Sequence, residues 1–297
     1  MSKPAIGFIG LGLMGSAMVE RLQALGYPMT VTANRARPNI DAAVARGATE
    51  VGTAREVAAA ADIVMLCMDT SASVEARMRG EDGVIAGLKP GALVIDFGTS
   101  LPGSTKALGA EVAAAGAAYM DAPLGRTPTH ALEGALNIMA AGAQEDYARA
   151  QPVFADLGEN VFHVGPLGAG HTLKLINNFY AMTTACAMSE AFAMADVAGL
   201  PRDKLYGVMS AGPNGSGMMD FIKAYGVDGD ATKLQFSVSN ARKDVGYYAT
   251  MADDFGVPSI MSQAAKTALG LAKADGAGDR MVPEMVDWFA SKLGGRA

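Results

Sequence analysis

Three glycines near the N-terminus constrain the fold of this chain more than any other feature. Gly10, Gly12 and Gly15 follow an apolar run at residues 5–9 and precede a helix-like stretch at residues 16–25. A strand, a Gly-x-Gly-x-x-Gly turn and a helix form the dinucleotide fingerprint, in which glycines permit a tight turn, close approach of a pyrophosphate and close helix–strand packing. The alternative is a glycine turn with a structural role only. The strand before the glycines and the helix after them favour a nucleotide site.

The first half of the chain alternates short apolar runs with alanine-rich helical runs, which predicts a parallel sheet with helices on both faces. The predicted strands are residues 5–9, 29–33, 63–68, 93–97 and 118–122, with 137–141 and 161–163 as further edge strands. The predicted helices between them are residues 16–25, 39–46, 54–60, 71–79 and 104–115. Beyond residue 170 no strong strand pattern follows, and the longest predicted helix covers residues 171–199. We therefore predict a doubly wound α/β domain at residues 1–165 and an all-helical domain at residues 166–297.

Composition excludes several classes of protein. The formal net charge is -6, which gives no support for binding to nucleic acid or to an anionic membrane. The two cysteines, Cys67 and Cys186, have no metal-type spacing, and the three histidines are scattered, so we expect no metal site and a reducing, cytoplasmic location. The most apolar long stretch, residues 175–188, is too short for a membrane span.

Four motifs together resemble one enzyme family. They are Gly-Phe-Ile-Gly-Leu-Gly-Leu-Met-Gly at residues 7–15, Asp-Ala-Pro at 121–123, Gly-Ala-Gly-His-Thr-Leu-Lys-Leu-Ile-Asn-Asn at 168–178, and Lys-Asp at 243–244. The chain resembles the β-hydroxyacid dehydrogenases, the family of 3-hydroxyisobutyrate dehydrogenase and tartronate semialdehyde reductase. The resemblance implies a Rossmann domain, a long helix between domains and a helical domain that forms a homodimer or homotetramer. It also implies hydride transfer between a nicotinamide and a short hydroxy acid or semialdehyde.

The resemblance makes Lys174 the general acid/base. Reduction of a carbonyl leaves charge on oxygen, which a positioned ammonium group neutralises by donating a proton. Asn178 lies four residues later on the same helix face and would orient the substrate oxygen and the lysine. Asn177 is a weaker candidate for substrate binding because it lies on another face. Without the family match, a solvated helix end would be the better interpretation of Lys174.

The chain departs from the family where a substrate carboxylate is usually held. After Leu124 the common family text is Ser-Gly-Gly, but this chain has Gly125, Arg126 and Thr127. The triplet resembles the sulfolactaldehyde reductase branch, and a guanidinium suits an oxyanion such as a sulfonate. The alternative is a surface arginine paired with Glu133 or Glu159.

The cofactor prediction rests on the end of the second strand. The ribose-binding acid expected about 20 residues after the glycines is missing, and Asn34 and Arg35, with Arg37 nearby, stand there instead. We therefore predict NADP(H) rather than NAD(H), although the better-known sulfolactaldehyde reductase carries an Asp and uses NADH. By resemblance, the other cofactor-binding residues are Gly10, Leu11, Gly12, Leu13, Met14, Gly15, Met68, Thr99 and Lys243. Thr99 would also touch substrate, and the alternative for Lys243 is a solvated charge beside Asp244.

The resulting hypothesis is a reductase of a short anionic aldehyde, either 3-sulfolactaldehyde or a semialdehyde. Within the enzyme class, the alternatives are succinic semialdehyde (4-hydroxybutyrate) and 3-hydroxyisobutyrate-type dehydrogenases. A nucleotide-binding sensor is the alternative from another class. It has no use for a proton donor, so Lys174 together with Asn178, Thr99 and Lys243 argues against it.

Overall fold

The computed structural model describes residues 3–33 and 37–294. The described chain divides after Lys174 into two compact units. The division near residue 165 that the sequence suggests stays a prediction. Among the described residues, no helix combines the length and apolar character needed to cross a membrane.

The first unit contains a sheet of nine strands within the described residues. They are β1 (Ile6–Ile9), β2 (Met29–Thr32), β3 (Thr49–Val51), β4 (Ile63–Leu66), β5 (Leu93–Asp96), β6 (Ala118–Asp121), β7 (Leu124–Gly125), β8 (Leu136–Ala141) and β9 (Gly158–Gly165). Their order is β3-β2-β1-β4-β5-β6-β8-β7, and β9 pairs with β8. The first six strands are parallel to one another, β8 is antiparallel to β6, and β9 is parallel to β8.

Helices follow most of these strands. They are α1 (Leu13–Ala24), α2 (Arg37–Ala45), α3 (Ala54–Ala60), α4 (Ser71–Met78), α5 (Val84–Gly87), α6 (Pro102–Ala114), α7 (Pro128–Glu133) and α8 (Gln144–Leu157). This order of strands and helices is the Rossmann arrangement that the sequence predicts, and it is confirmed.

The central strand β4 is apolar along its whole length because both sheet faces are covered. In β4, Ile63 and Met65 belong to one apolar core, and Val64 and Leu66 belong to a second core. Successive side chains on a strand point to opposite faces, so each strand supplies residues to both cores. This explains why short runs without polar alternation are strands here.

Five described elements of the first unit lie outside the predicted set: β3, β7, α8 and the short helices α5 and α7. The strands β3 and β7 have three and two residues, too short to show a pattern in the sequence. The helix α8 contains Pro152, a residue that usually argues against a helix interior. Its apolar face is nevertheless buried through Val153, Phe154 and Leu157.

The second unit is helical in its described part. The helix α9 (Ala169–Val197) starts in the first unit and continues into the second. It is followed by α10 (Arg202–Ser210), α11 (Gly217–Gly226), α12 (Val238–Asp254), α13 (Ile260–Ala272) and α14 (Met285–Leu293). Their core includes Phe192, Ile222, Val245 and Leu269, all fully buried. The helical C-terminal part with its long first helix therefore confirms the sequence prediction.

Two glycines of the first turn allow a matched test of the fold. A Cβ at Gly15 would lie 2.0 Å from Gly10 O, whereas a Cβ at Gly12 would meet no atom within 4 Å. We expect Gly15→Ala to destabilise the protein by about 1–3 kcal/mol, as overpacking does. Gly12→Ala should stay within about 1 kcal/mol of the parent protein. Thermal unfolding of the two variants checks this, and equal losses of stability would contradict the packing argument.

Candidate active site

The glycine turn connects β1 to α1 and lies against the segment that follows β4. Gly10 has a φ of 100°, and a Cβ there would lie 2.4 Å from Cys67 O and 2.9 Å from Met68 Sδ. Any other residue at this position would clash with the chain beyond β4 and would be strained. The absence of a side chain at Gly10 therefore allows the turn and Met68 to lie next to each other.

A cavity of about 290 Å³ opens at the carboxyl ends of β1, β2 and β4. The lining residues are Ile9, Gly10, Leu11, Gly12, Thr32, Ala33, Ile40, Cys67, Met68, Asp69, Ser73 and Arg77. Of the predicted cofactor residues, Gly10, Leu11, Gly12 and Met68 line this cavity. Open α/β sheets bind ligands at this edge.

The turn fits the phosphates of a dinucleotide. Gly12 is the N-terminal cap of α1 and has no side chain, so the first N–H groups of the helix face open space. Unpaired N–H groups and the helix dipole favour an anion at this position. Met14 packs on the first core, and Leu13 is 76% exposed, so neither lines the cavity.

Of the residues near β2 that the cofactor prediction names, the structure describes only Arg37. Asn34 and Arg35 lie outside the described residues. The Arg37 guanidinium binds two carboxylates, Glu50 at 2.6 Å and Asp41 at 2.7 Å. A half-buried arginine on α4, Arg77, lines the cavity instead. The sequence analysis missed Arg77 because nothing in the spacing of a short helix distinguishes it from a surface residue.

Lys174 is half-buried on the second turn of α9. The start of this helix is held by the buried carboxylate of Asp121 at the end of β6. Its Oδ1 accepts the N–H of Gly168 and its Oδ2 accepts the N–H of His171, each at 2.7 Å. Burial raises the pKa of the Asp121 carboxyl, while the nearby His171 ring and the two N–H donors oppose that shift.

Glycines make this approach possible. A Cβ at Gly170 would lie 2.4 Å from Met139 O and 2.8 Å from Asp121 Oδ2. Gly168 has a φ of 92°, which other residues rarely adopt. The glycines of the motif around Lys174 therefore allow the Asp121 carboxylate to contact the start of α9. The motif alone does not reveal that Asp121 is the partner.

In the second unit, Asn178 and Lys243 meet at one carboxylate. Asn178 Nδ2 donates to Asp244 Oδ2 at 2.6 Å, and Lys243 Nζ lies 3.0 Å from Asp244 Oδ1. Asp244 is 2% exposed, so the lysine and the amide compensate a buried charge. Asn177, which is exposed, donates to Asn178 Oδ1 at 3.2 Å. The alternative interpretation of Lys243 is a solvated charge beside Asp244. Lys243 is indeed paired with Asp244, but its side chain is only 19% exposed, so it is not a solvated charge.

The triplet after Leu124 forms a tight turn between β7 and α7. Arg126 has a φ of 77°, the one positive φ of a non-glycine residue among those described. Its Nη1 donates to Ala135 O at 2.7 Å and to the Glu159 carboxylate, the partner named by the surface alternative. The Thr127 hydroxyl contacts His130 Nδ1 at 2.7 Å, and Gly125 pairs with Asn137 on β8. None of the three lines the cavity beside the glycine turn.

Thr99 follows β5 and is half-buried. A Cβ at its neighbour Gly98 would lie 3.0 Å from Met68 O. The loop that carries Thr99 is therefore packed against the segment after β4, next to the glycine turn.

Two family models match the chain. The NAD binding domain of 6-phosphogluconate dehydrogenase matches residues 5–165, and the NAD-binding domain of NADP-dependent 3-hydroxyisobutyrate dehydrogenase matches residues 168–289. Both halves of the chain thus match nicotinamide-dependent dehydrogenases.

Known proteins similar to this chain agree with these matches. The 3-sulfolactaldehyde reductase of Escherichia coli is 32% identical over 289 residues, 96% of this chain and 94% of the relative. The 2-(hydroxymethyl)glutarate dehydrogenase of Eubacterium barkeri is 30% identical over 91% of each chain. A crystal structure of 3-hydroxyisobutyrate dehydrogenase from Salmonella typhimurium superposes with a TM-score of 0.83 at 26% identity, covering 96% of this chain and 99% of that one. This chain therefore belongs to the β-hydroxyacid dehydrogenase family and is an NAD(P)-dependent oxidoreductase.

Proposed function

We propose that this protein reduces a short anionic aldehyde to the corresponding hydroxy acid, with NADP(H) as cofactor and Lys174 as proton donor. The observation that carries the proposal is Lys174, half-buried on a helix whose first turn is fixed by a buried carboxylate. Membership in an enzyme family decides against the sensor module as the alternative function.

The proposed chemistry divides between cofactor and protein. The reduced nicotinamide, when bound, supplies a hydride to the carbonyl carbon. Lys174 donates a proton to the carbonyl oxygen as negative charge develops there, and in the reverse direction the neutral amine accepts it. Asn178, whose amide is held by Asp244, and Asn177 are the proposed polar partners of the substrate on the same helix.

The proposed substrate carries an anionic group that Arg126 binds, with Gly125, Thr127 and Thr99 beside it. A non-glycine residue at a φ of 77° is strained, and strained residues concentrate at functional sites. Family members commonly have glycine at this position, which adopts the conformation freely. An arginine retained in spite of strain supports a role for its charge. The similarity to a 3-sulfolactaldehyde reductase favours a sulfonate, and the semialdehydes of carboxylic acids, including succinic semialdehyde and the 3-hydroxyisobutyrate type, remain the alternatives.

The cofactor preference for NADP(H) has two supports. No acid lies at the described end of β2, where Thr32 and Ala33 line the cavity, and Arg77 adds a cation to the same lining. The second half of the chain also matches a model named for an NADP-dependent enzyme. Asn34 and Arg35 stay the proposed partners of the 2′-phosphate, and Leu13, Met14, Gly15, Thr99 and Lys243 stay proposed cofactor residues.

We also propose a homodimer or homotetramer in the cytoplasm. The second unit exposes large apolar side chains, among them Tyr180 at 71%, Val208 at 77% and Ile260 at 77%. A contiguous apolar patch on the surface marks a site that pairs with another chain, and we propose that these side chains contribute to such a patch. Cys67 and Cys186 form no disulfide in the described part of the chain, which fits a reducing compartment.

Substitution of Lys174 tests the proton donor. Lys174→Ala should lower kcat by about 10²- to 10⁴-fold, because positioned acids contribute rate factors of that size. Lys174→Arg keeps the positive charge but cannot release a proton at neutral pH, so it should be nearly as slow. Binding of NADPH, followed by fluorescence, should not change, and Lys204→Ala on the exposed surface serves as the control. Turnover close to the parent value in Lys174→Ala would remove the assignment.

Substitution of Arg126 tests the anion site. Arg126→Gly removes the charge and suits the positive φ, so the protein should keep or gain stability. The KM for an anionic aldehyde should rise by roughly 10- to 100-fold, since bonds to charged groups contribute about 1.5–3 kcal/mol. The KM for an uncharged aldehyde should not change.

Glu159→Gln removes the carboxylate that competes for Arg126 and should lower the KM for the anionic aldehyde. Equal effects of Arg126→Gly on charged and uncharged substrates would exclude an anion site, and a panel of sulfonate and carboxylate aldehydes identifies the preferred class.

Direct titration tests the cofactor preference. Fluorescence titration should give a lower Kd for NADPH than for NADH. Gly12→Ala, for which we expect normal folding, should weaken the binding of both cofactors because its methyl group enters the open space at the start of α1. Arg77→Gln should weaken NADPH more than NADH. Tighter binding of NADH to the parent protein would overturn the preference.

A further inference from the structure

A buried histidine in the first unit lies between two buried carboxylates. His171 is 0% exposed, as are Asp96 and Asp121. His171 Nε2 lies 3.8 Å from Asp96 Oδ2, and His171 Nδ1 lies 3.8 Å from Asp121 Oδ2. Both distances are longer than a hydrogen bond, and Nε2 has no hydrogen-bond partner among the described residues. Ionisable groups are rarely buried completely unless they are paired.

Thr105 on α6 fixes the orientation of the imidazole. Its hydroxyl donates to Leu101 O at 3.1 Å and contacts His171 Nδ1 at 2.7 Å. A hydroxyl has one proton, so Nδ1 is the donor to Thr105. The ring is thereby anchored, and its Nε2 edge is directed at Asp96.

Asp96 organises the loop that carries Thr99. Its Oδ1 accepts the N–H of Gly98 at 2.8 Å, and its Oδ2 accepts the Ser100 hydroxyl at 2.9 Å. Thr99 lies between these two anchored residues. The position of its backbone is therefore determined by the Asp96 carboxylate.

Asp121 organises the helix that carries Lys174. It accepts the N–H groups of Gly168 and His171 and so replaces the side-chain cap that a glycine cannot supply. Lys174 follows His171 by three residues, less than one helical turn. Both the loop with Thr99 and the helix with Lys174 are thus connected through one imidazole.

We infer that His171, with Asp96 and Asp121, holds Lys174 and Thr99 in a fixed relative position, and that these three are positioning residues for the reaction. The inference rests on the proposed role of Lys174. The proposed cofactor and substrate contacts do not involve His171. A one-ångström displacement of a reacting group can cost two orders of magnitude in rate, so the effect of losing the contact is measurable.

A double-mutant cycle tests the inference. His171→Leu should lower kcat at least 10-fold while KM and the Kd for NADPH stay within 2-fold. His171→Asn keeps a donor near Nδ1 for Thr105 and should recover part of the rate. In the Lys174→Ala background, His171→Leu should lower the rate by a much smaller factor, because residues that act as one unit are not additive and only the position of Thr99 remains to be lost. The matched control is His163→Asn, a half-buried histidine of the same unit bonded to Gly142 O.

The alternatives are separated by the same measurements. An equal loss of rate from His171→Leu in the parent and Lys174→Ala backgrounds would overturn the inference, as would a change in KM or cofactor binding without a change in kcat. If the leucine variant does not fold, the cycle with His171→Asn decides, since it changes fewer contacts. Labelling of the Lys174 amine, followed by mass spectrometry, should change in rate in the His171 variants but not in His163→Asn. Parent-like turnover of Lys174→Ala is independent of His171 and would instead remove the proposed proton donor.

Discussion

The two hydrogen bonds that Asp121 accepts from the start of α9 are the contact on which the proposed active site depends. They join the end of a central strand to the first turn of the helix that carries Lys174. The carboxylate is fully buried, so its charge needs these donors and the nearby imidazole. Gly170 leaves space for it, because any side chain there would collide with β8 and with Asp121 itself, and Gly168 adopts a positive φ that other residues rarely adopt. The glycines of this motif therefore serve packing in the same way as those of the nucleotide turn.

The first unit gathers its candidate cofactor residues by close backbone contact rather than by long side chains. Gly10 lies against the chain after β4, and Gly98 lies against Met68. Since both contacts involve carbonyl groups of neighbouring segments, the ends of β1, β4 and β5 form a rigid edge. Substrate choice, in contrast, is proposed to rest on a few side chains such as Arg126, which lie on turns attached to that edge. A division of this kind lets one scaffold serve relatives whose names refer to a sulfonated aldehyde or a dicarboxylic acid.

The sequence predicts the sheet and most helices because their signals are local. Short apolar runs mark the central strands, and the longest predicted helix, residues 171–199, is found at Ala169–Val197. Short strands such as β7 and the proline-containing α8 depend on tertiary contacts and leave no local signal. The same limit applies to the site. Motifs identify Lys174 and the glycine turn, but the pairings of Asp121 with His171 and of Asp244 with Asn178 join residues 50 and 66 positions apart. Arg77 lines the cavity but belongs to no sequence motif. For Arg126, residue spacing could not distinguish binding of a substrate anion from pairing with a surface carboxylate, and the structure shows a bond to Glu159.

The buried carboxylate of Asp244 has a consequence for how this protein can evolve. Asn178 and Lys243 both bind it, and loss of either partner leaves a charge without compensation at a position that is 2% exposed. Breaking such a pair costs about 3–5 kcal/mol, a large part of the stability of an ordinary domain. Single replacements at these three positions therefore pass through poorly folded intermediates. During evolution, Asn178, Lys243 and Asp244 should therefore be replaced together rather than one at a time. Homologous sequences should show covariation among these three positions.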